Sequence, residues 1–171
     1  MNFTDLEIVI PVFNEGEKLI KLMKEFSINV KTNFKVLLCY DLEDDNLFQY
    51  IKEFEKYNFE IILIKNPSKG PLSAIKEGFI SGNSNAVIVY PADDFLNYKL
   101  LDQMYEKFNQ GNDIVVASRF VKGGSMKNCP LLKSILVRTA SFTLYFLSSI
   151  PVRDASNGFR LFSRKLLDQV K

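Results

Sequence analysis

Hydrophobic positions in this 171-residue chain fall into two alternating rhythms. Short continuous apolar runs are followed by stretches with apolar residues three and four apart. The first run covers residues 6–13, and its Ile8-Val9-Ile10 centre has no polar break. Such a run predicts a strand covered on both faces. Residues 34–40, 59–64, 86–90 and 113–117 repeat the pattern. Between them, four stripes stand at helical spacing: Leu19, Ile20, Met23 and Phe26; Leu47, Ile51 and Phe54; Leu72, Ile75 and Phe79; Leu100, Met104 and Phe108. Each stripe is expected to face the core. Strands alternating with helices of this length predict βαβ units, a mostly parallel sheet and right-handed crossovers. No repeat, linker or low-complexity stretch interrupts the pattern, so residues 1–171 read as one α/β domain.

Turn chemistry agrees with these boundaries. Asn14-Glu15-Gly16 follows the first strand, and an acidic run, Asp41-Leu42-Glu43-Asp44-Asp45, follows the second. Asn66-Pro67-Ser68-Lys69-Gly70-Pro71 is rich in breakers, and Gly82 closes the helix after it. Pro91 ends the fourth strand, because proline has no N–H to give a sheet. After Ser118 the character changes. Residues 119–124 form a basic, glycine-containing loop, and residues 131–149 predict one long helix. That helix mixes Lys133 and Arg138 with Ile135, Leu136, Phe142, Leu144, Phe146 and Leu147. It reads either as a core helix or as a helix lying on a membrane surface. Pro151-Val152-Arg153-Asp154 breaks it, and residues 156–160 form a turn.

Charge divides the chain at the same point. Residues 1–118 carry 12 Lys+Arg against 18 Asp+Glu, a balance of −6, whereas residues 119–171 carry 10 against 2, a balance of +8. A basic third points to an anionic partner: a phosphate, a nucleic acid or an acidic membrane surface. Nucleic acid is the weakest of these, since no recognition helix or stacking motif is present. The chain has no His, which excludes a Ser-His-Asp triad and any His-ligated metal. Two lone cysteines and no signal peptide place the expected location in a reducing cytoplasm. No apolar stretch is long enough to span a bilayer.

Acids follow three predicted strands: Glu15 the first, Asp41 the second, and Asp93 with Asp94 the fourth. In a parallel sheet these ends share one edge, where open α/β proteins bind ligands. Carboxylates gathered there raise one another's pKa unless a cation neutralises them, so a metal and a nucleotide would account for the set. The competing reading of the Asp pair is a turn that caps the next helix. No Gly-x-Gly-x-x-Gly or Walker loop is present, which argues against dinucleotide oxidoreductases and P-loop enzymes.

Five stretches in order carry a family resemblance. Ile8-Val9-Ile10-Pro11-Val12-Phe13-Asn14-Glu15 resembles the opening of family 2 glycosyltransferases of the GT-A fold. Residues 66–78 resemble that family's Asn/Gly-Ala-Gly loop and helix, and Tyr90-Pro91-Ala92-Asp93-Asp94 its Asp-x-Asp signature. Val116-Ala117-Ser118-Arg119-Phe120 and residues 152–160 are similar to the dolichol- or polyprenyl-phosphate sugar transferase branch.

The resemblance implies a GT-A nucleotide-diphospho-sugar transferase fold and metal-dependent, inverting transfer of a sugar from a nucleoside-diphosphate sugar to a polyprenyl phosphate. It makes residues 1–118 the nucleotide-sugar-binding half and residues 119–171 the acceptor side. Pro11, Glu15, Asp41, Lys69 and Asp93 would bind the nucleotide sugar, with Asp41 on the base. Asp93, helped by Asp94, would hold Mg²⁺ or Mn²⁺. Arg119, Lys133, Arg138 and Arg160 would meet the acceptor phosphate. Asp154 is the base if the acceptor is instead a hydroxyl.

The chain departs from the pattern at Pro91, which stands where the first signature acid belongs, and at Leu42-Glu43-Asp44, which lacks the usual small residues. It also stops soon after Gly158-Phe159-Arg160, where relatives continue, so a C-terminally short member is expected. The Pro91 departure supports a rival reading, a non-catalytic nucleotide-sugar-binding or scaffold protein. The acceptor side leads to the expectation of a peripheral site on the inner face of an anionic membrane.

Overall fold

The computed structural model describes residues 4–126, 129–148 and 152–170. The elements run β1 (Leu6–Val12), α1 (Gly16–Asn29), β2 (Phe34–Tyr40), α2 (Ile51–Phe54), β3 (Ile61–Lys65), α3 (Pro71–Ser81), β4 (Ala86–Val89), α4 (Leu101–Asn109), β5 (Ile114–Val116), α5 (Leu131–Leu147), β6 (Arg160–Ser163) and α6 (Arg164–Gln169). They build one six-stranded sheet in the order β3-β2-β1-β4-β6-β5. β1 pairs in parallel with both β2 and β4, and β2 with β3. The chain steps outward from β1 to β3 and then returns to place β4 on the other side of β1. The connections from β1 and into β4 therefore diverge, which opens a crevice at their C-terminal ends.

Both faces of the parallel body are covered, as the unbroken apolar runs require. Ile8, Ile10, Val36, Leu38 and Ile88 face one way and pack with Leu19, Leu22, Met23 and Phe26 of α1 and with Leu101 and Met104 of α4. Val9, Leu37, Cys39 and Val87 face the other way and pack with Ala74 of α3 and Leu167 of α6. The α3 contact is closer than its sequence stripe implies. Leu72 is exposed, Ile75 and Phe79 are half-buried, and the fully inward residues are Ala74 and Gly78. A Cβ on Gly78 would stand 2.4 Å from Val9 Cγ1 and 3.0 Å from Cys39 Sγ, so only glycine lets the helix approach the sheet here. Burial pushes the Cys39 thiol up to about 12, leaving it an inert packing group.

The sheet differs from the predicted one at its far side. β5 does not join β4. Arg160–Ser163, which the sequence pattern did not mark as a strand, form β6, which pairs antiparallel with both and separates them. Two charges fix that insertion. Glu7, fully buried on β1, lies 2.8 Å from Arg164 Nη2 and 3.1 Å from Lys35 Nζ. It also accepts from the N–H groups of Asn83 and Ser84 at 2.6 and 2.9 Å. A buried carboxylate with four donors is satisfied, and it ties α6, at the end of the chain, to the first strand.

α5 is the other departure. Of its residues only Ser141 is buried, so it is not a core helix. Leu131, Leu132, Leu136, Phe146 and Leu147 each expose more than 60% of their surface. The expected last residue of this helix, Ser149, and the breaker Pro151 lie outside the described residues. Among the described residues no helix is long and apolar enough to cross a membrane.

Candidate active site

The crevice is framed first by the β1–α1 turn. Asn14 has φ +54°, a left-handed conformation that asparagine tolerates. The turn is latched to the stretch after β2. Asp45, almost fully buried, accepts from Asn14 N at 2.8 Å and caps Leu47 N at 2.9 Å. Asn46 accepts from Gly16 N at 2.8 Å through its Oδ1 and donates to the Asn14 carbonyl at 3.1 Å. Tyr50 closes over Gly16, where a Cβ would meet its ring at 2.5 Å. The acidic run after β2 thus divides its work: Asp45 is structural, and Asp41 faces the neighbouring loop.

Asp41 accepts from Asn66 Nδ2 at 2.6 Å and from Gly70 N at 2.8 Å. Asn66 is buried and also accepts from Ser68 N at 3.2 Å and Ser73 Oγ at 2.8 Å. Gly70 holds φ +100°, which glycine takes without strain. Asn66 is therefore the hub that shapes the β3–α3 loop against Asp41. The sequence marked this loop by its breakers but did not single out Asn66 as a site residue. Lys69 sits exposed on the same loop, and Pro11 is half-buried at the end of β1.

The Asp pair separates into two roles. Asp94 accepts from Leu96 N at 3.0 Å and Asn97 N at 2.9 Å, and its other oxygen accepts from Asn97 Nδ2. Its carboxylate caps the following turn, the alternative read for this pair, and these bonds engage both oxygens expected to help hold the metal. Asp93 is exposed and, among the described residues, accepts no hydrogen bond. Across the crevice Glu15 pairs with Lys18, Oε2 to Nζ at 2.6 Å. The Glu15 hydrogen bond raises the Lys18 pKa; desolvation opposes it, and the charges of Glu15 and Asp93 add smaller upward contributions. Lys18, in the first turn of α1, was not anticipated; a lysine four residues after Asn14 has no motif to mark it.

The strand-end acids do not merge into a metal cluster. Among the described residues, no group of three or more Asp, Glu or Cys side chains could hold a metal ion. Asp93, like the exposed Asp44 after β2, forms no hydrogen bond or ion pair among the described residues, and it follows β4, beside the end of β1. One carboxylate still fits a hard cation that brings its other ligands from water and substrate phosphate, as Mg²⁺ commonly does.

The basic segment packs around Phe120. Arg119 donates to Asp154 through its N–H at 2.9 Å, Nε at 2.8 Å and Nη2 at 2.7 Å, and to Ser156 Oγ at 2.8 Å. Asp154 is fully buried. Burial alone would raise its pKa; the Arg119 side chain and backbone N–H, with Ser156, outweigh it and bring the net value below an ordinary carboxylate. Both Asp154 oxygens are thus held by Arg119 and Ser156, where the expected general base would need one open to the acceptor. Arg119, in turn, has its fork committed to that clamp.

Arg160 donates to the carbonyls of Asn157, at 2.6 Å, and Ala155. These two bonds close its own turn. Lys133 is exposed at the start of α5. Arg138 does meet the clamp region: its guanidinium lies 5.4 Å from the Phe120 ring centroid, with Arg119 at 5.5 Å. A cavity of about 320 Å³ opens there, lined by Phe120, Arg138, Ser141, Phe142, Tyr145, Phe146 and Arg153. Ser141 Oγ is buried and has no hydrogen-bond partner. Two arginines, an unpaired hydroxyl and four rings suit an anion with an apolar tail. Ser141 lies one helical turn after Arg138, a spacing the sequence displayed, but its burial depends on the helix's orientation.

Comparison with known proteins places these features. The family model described as Glycosyl transferase family 2 matches residues 7–171. The dolichol-phosphate mannosyltransferase of Pyrococcus furiosus is 24% identical over 170 residues, covering 97% of this chain and 48% of that protein. The human dolichyl-phosphate beta-glucosyltransferase is 23% identical over 180 residues, covering 94% of this chain and 55% of its own length. The chain spans about half the length of such curated relatives. Among solved structures, glucosyl-3-phosphoglycerate synthase from Mycobacterium tuberculosis, in complex with Mn²⁺ and UDP-glucose, superposes with TM-score 0.70 at 11% identity, covering 95% of this chain and 58% of that one. Staphylococcus aureus TarS gives 0.65 at 14% identity, covering 97% and 49%. These likenesses establish the GT-A fold.

Proposed function

As this chain belongs to glycosyl transferase family 2, we propose that it transfers one sugar from a nucleoside-diphosphate sugar to a polyprenyl phosphate, with inversion. The observation that carries the reading is the pairing of two unlike sites. A polar crevice lies at the divergence of β1 and β4, and a cationic, aromatic cavity lies under α5. A lipid phosphate needs both cations and an apolar approach; a soluble saccharide needs neither.

In this reading Asp41, fixed by Asn66 and Gly70, keeps acceptor capacity for the nucleobase, since a carboxylate has about four lone-pair sites. Pro11 and Glu15 flank the nucleotide, and Lys69 closes on it from the β3–α3 loop. Asp93 is the residue that would hold Mg²⁺ or Mn²⁺ together with the substrate diphosphate. When bound, such an ion offsets the charge that develops on the leaving diphosphate. Arg138 and Arg153, with Lys133 at the cavity's approach, receive the lipid phosphate. Arg119 acts through Asp154, holding Phe120 and the loop in place. The lipid phosphate oxygen is already ionised near neutral pH, so no general base is required, which agrees with the clamped state of Asp154. The exposed apolar face of α5 would then rest on the cytoplasmic face of an anionic membrane, where each basic residue adds roughly 1 kcal/mol.

Pro91 and the capped Asp94 favour one rival, a binder that holds the nucleotide sugar without turning it over. The same assay separates the two. The chain is incubated with radiolabelled UDP-, GDP- or CDP-sugars, Mn²⁺ and a short polyprenyl phosphate, then extracted with organic solvent. Label in the organic phase that is lost on Arg138→Ala supports transfer to lipid. Label only in water-soluble saccharides contradicts the lipid acceptor, and donor binding without transfer supports the rival.

A further inference from the structure

We infer that Lys18 is a diphosphate-binding residue of the donor site, and that through it the chain holds a nucleoside diphosphate even with no divalent cation present. The inference rests on the donor-site reading above and goes beyond it in naming what binds the diphosphate. Its ground is how the two central strands end. β1 and β4 run parallel in a register that sets Val9 beside Val89, and Tyr90 N donates to the Val9 carbonyl at 2.9 Å. The segments that follow, Asn14–Lys18 from β1 and Pro91–Asp94 from β4, therefore leave the sheet side by side. Lys18 stands in the first turn of α1, which begins at this edge. Its ammonium is 2.6 Å from Glu15 Oε2 and half-exposed, so it is anchored without being enclosed.

The charge balance at this edge needs that lysine. A diphosphate brought up to Asp93 and Glu15 meets two carboxylates. The usual remedy is a cation held by paired acids, but Pro91 has no carboxylate and both Asp94 oxygens are engaged by Leu96 and Asn97. Of the Asp93–Asp94 pair, Asp93 is the one that accepts no hydrogen bond among the described residues. Nearby, Lys65 is paired with Glu43 at 2.9 Å. Lys69 is exposed on the β3–α3 loop, and Lys18 is the cation that pairs with Glu15 and also feels the charge of Asp93. Lysine carries three donors on a flexible stem, so it can keep one hydrogen bond to Glu15 while giving others to phosphate oxygens. The α1 N-terminus adds a favourable dipole in the same direction.

The test is calorimetric titration of UDP and of GDP into the chain, each in EDTA and in Mn²⁺. The wild-type chain is expected to bind one of them in EDTA within about tenfold of its Mn²⁺ affinity, and Lys18→Ala to weaken the EDTA affinity by about tenfold or more, the scale of a lost charge-assisted hydrogen bond. Lys18→Arg should restore most of that loss. Asp93→Asn should bind at least as well as wild type in EDTA, since it removes a repelling charge, and less well than wild type in Mn²⁺. Lys18 is exposed and lies outside the core, and circular dichroism of each variant checks the fold. Binding that needs Mn²⁺ in the wild type, or equal EDTA affinities for wild type and Lys18→Ala, overturns the inference and leaves the donor site standing. No binding of either nucleotide under any condition overturns both.

Discussion

The two ends of this molecule solve opposite problems. Around the crevice, three aspartates are held by backbone N–H groups or by asparagine amides: Asp45 by the N–H of Asn14 and of Leu47, Asp41 by the Asn66 amide and the Gly70 N–H, Asp94 by Asn97. Underneath lie strands with both faces buried. In α5 the proportions reverse. Its apolar residues face outward, its one buried side chain is a serine with no partner, and its arginine rests on a ring. The first region is complete as a folded object. The second presents apolar and cationic surface that the described chain does not use on itself. A binding site for a soluble nucleotide can be finished within one sheet, whereas a site for a lipid phosphate must leave its apolar approach open.

Mutations should separate the regions by size of effect. The largest loss is expected at Glu7. Glu7→Ala leaves Arg164, Lys35 and two N–H groups without their shared carboxylate, and breaking a buried pair costs about 3–5 kcal/mol. Urea unfolding measures it; a loss under about 1 kcal/mol would mean that the far strand is not anchored there. Gly78→Ala should cost about 1–3 kcal/mol by overpacking against Val9.

The Arg119–Asp154 clamp adds a pH signature. Asp154 has a lowered pKa in the folded chain, so its contribution is present above the ordinary value of 3.8 and is lost as pH falls through the lower native value. The stability difference between wild type and Asp154→Asn should therefore shrink on acidification below about 3.8 and stay constant above it. A difference that persists unchanged to the lowest accessible pH would contradict the clamp. The smallest effect is expected on α5. Leu132→Ser with Leu136→Ser should change stability by no more than about 0.5 kcal/mol, since both are exposed, while sharply reducing co-sedimentation with anionic vesicles. A large stability loss would make α5 a core element after all.

Much of the fold was legible because it is local. The Ile8-Val9-Ile10 run, the 3.6-residue stripes and the breakers mark the parallel body directly. β6 was not, because four residues of an antiparallel strand carry no periodic signal, and its place is set by Glu7 and Arg164, 157 residues apart in sequence. α3 was misread in detail because its approach is governed by Gly78, which has no side chain to enter a stripe. At the site, the strand-end acids were visible as a set, but their individual duties were not. Whether an aspartate caps a turn, as Asp94 does, or stands free, as Asp93 does, depends on where the next backbone N–H groups point. Arg119 and Asp154 were both singled out, for a phosphate and for a proton; that they hold each other is a long-range fact. Lys18 and Asn66 sat in plain view without a pattern to mark them.

The central claim is that the crevice binds its ligand without the α5 segment, which is completed only by a lipid surface. Amide hydrogen exchange on the chain tests it in one experiment, because protection reports local opening region by region. With a nucleoside diphosphate and Mn²⁺, slowed exchange is expected in the β1–α1 turn, at 41–46, at 66–70 and at 91–97, with α5 unchanged. With anionic vesicles instead, slowed exchange is expected in α5 and the 119–124 loop, with the crevice unchanged. Protection of α5 by nucleotide alone, or vesicles that protect no part of α5, would contradict it.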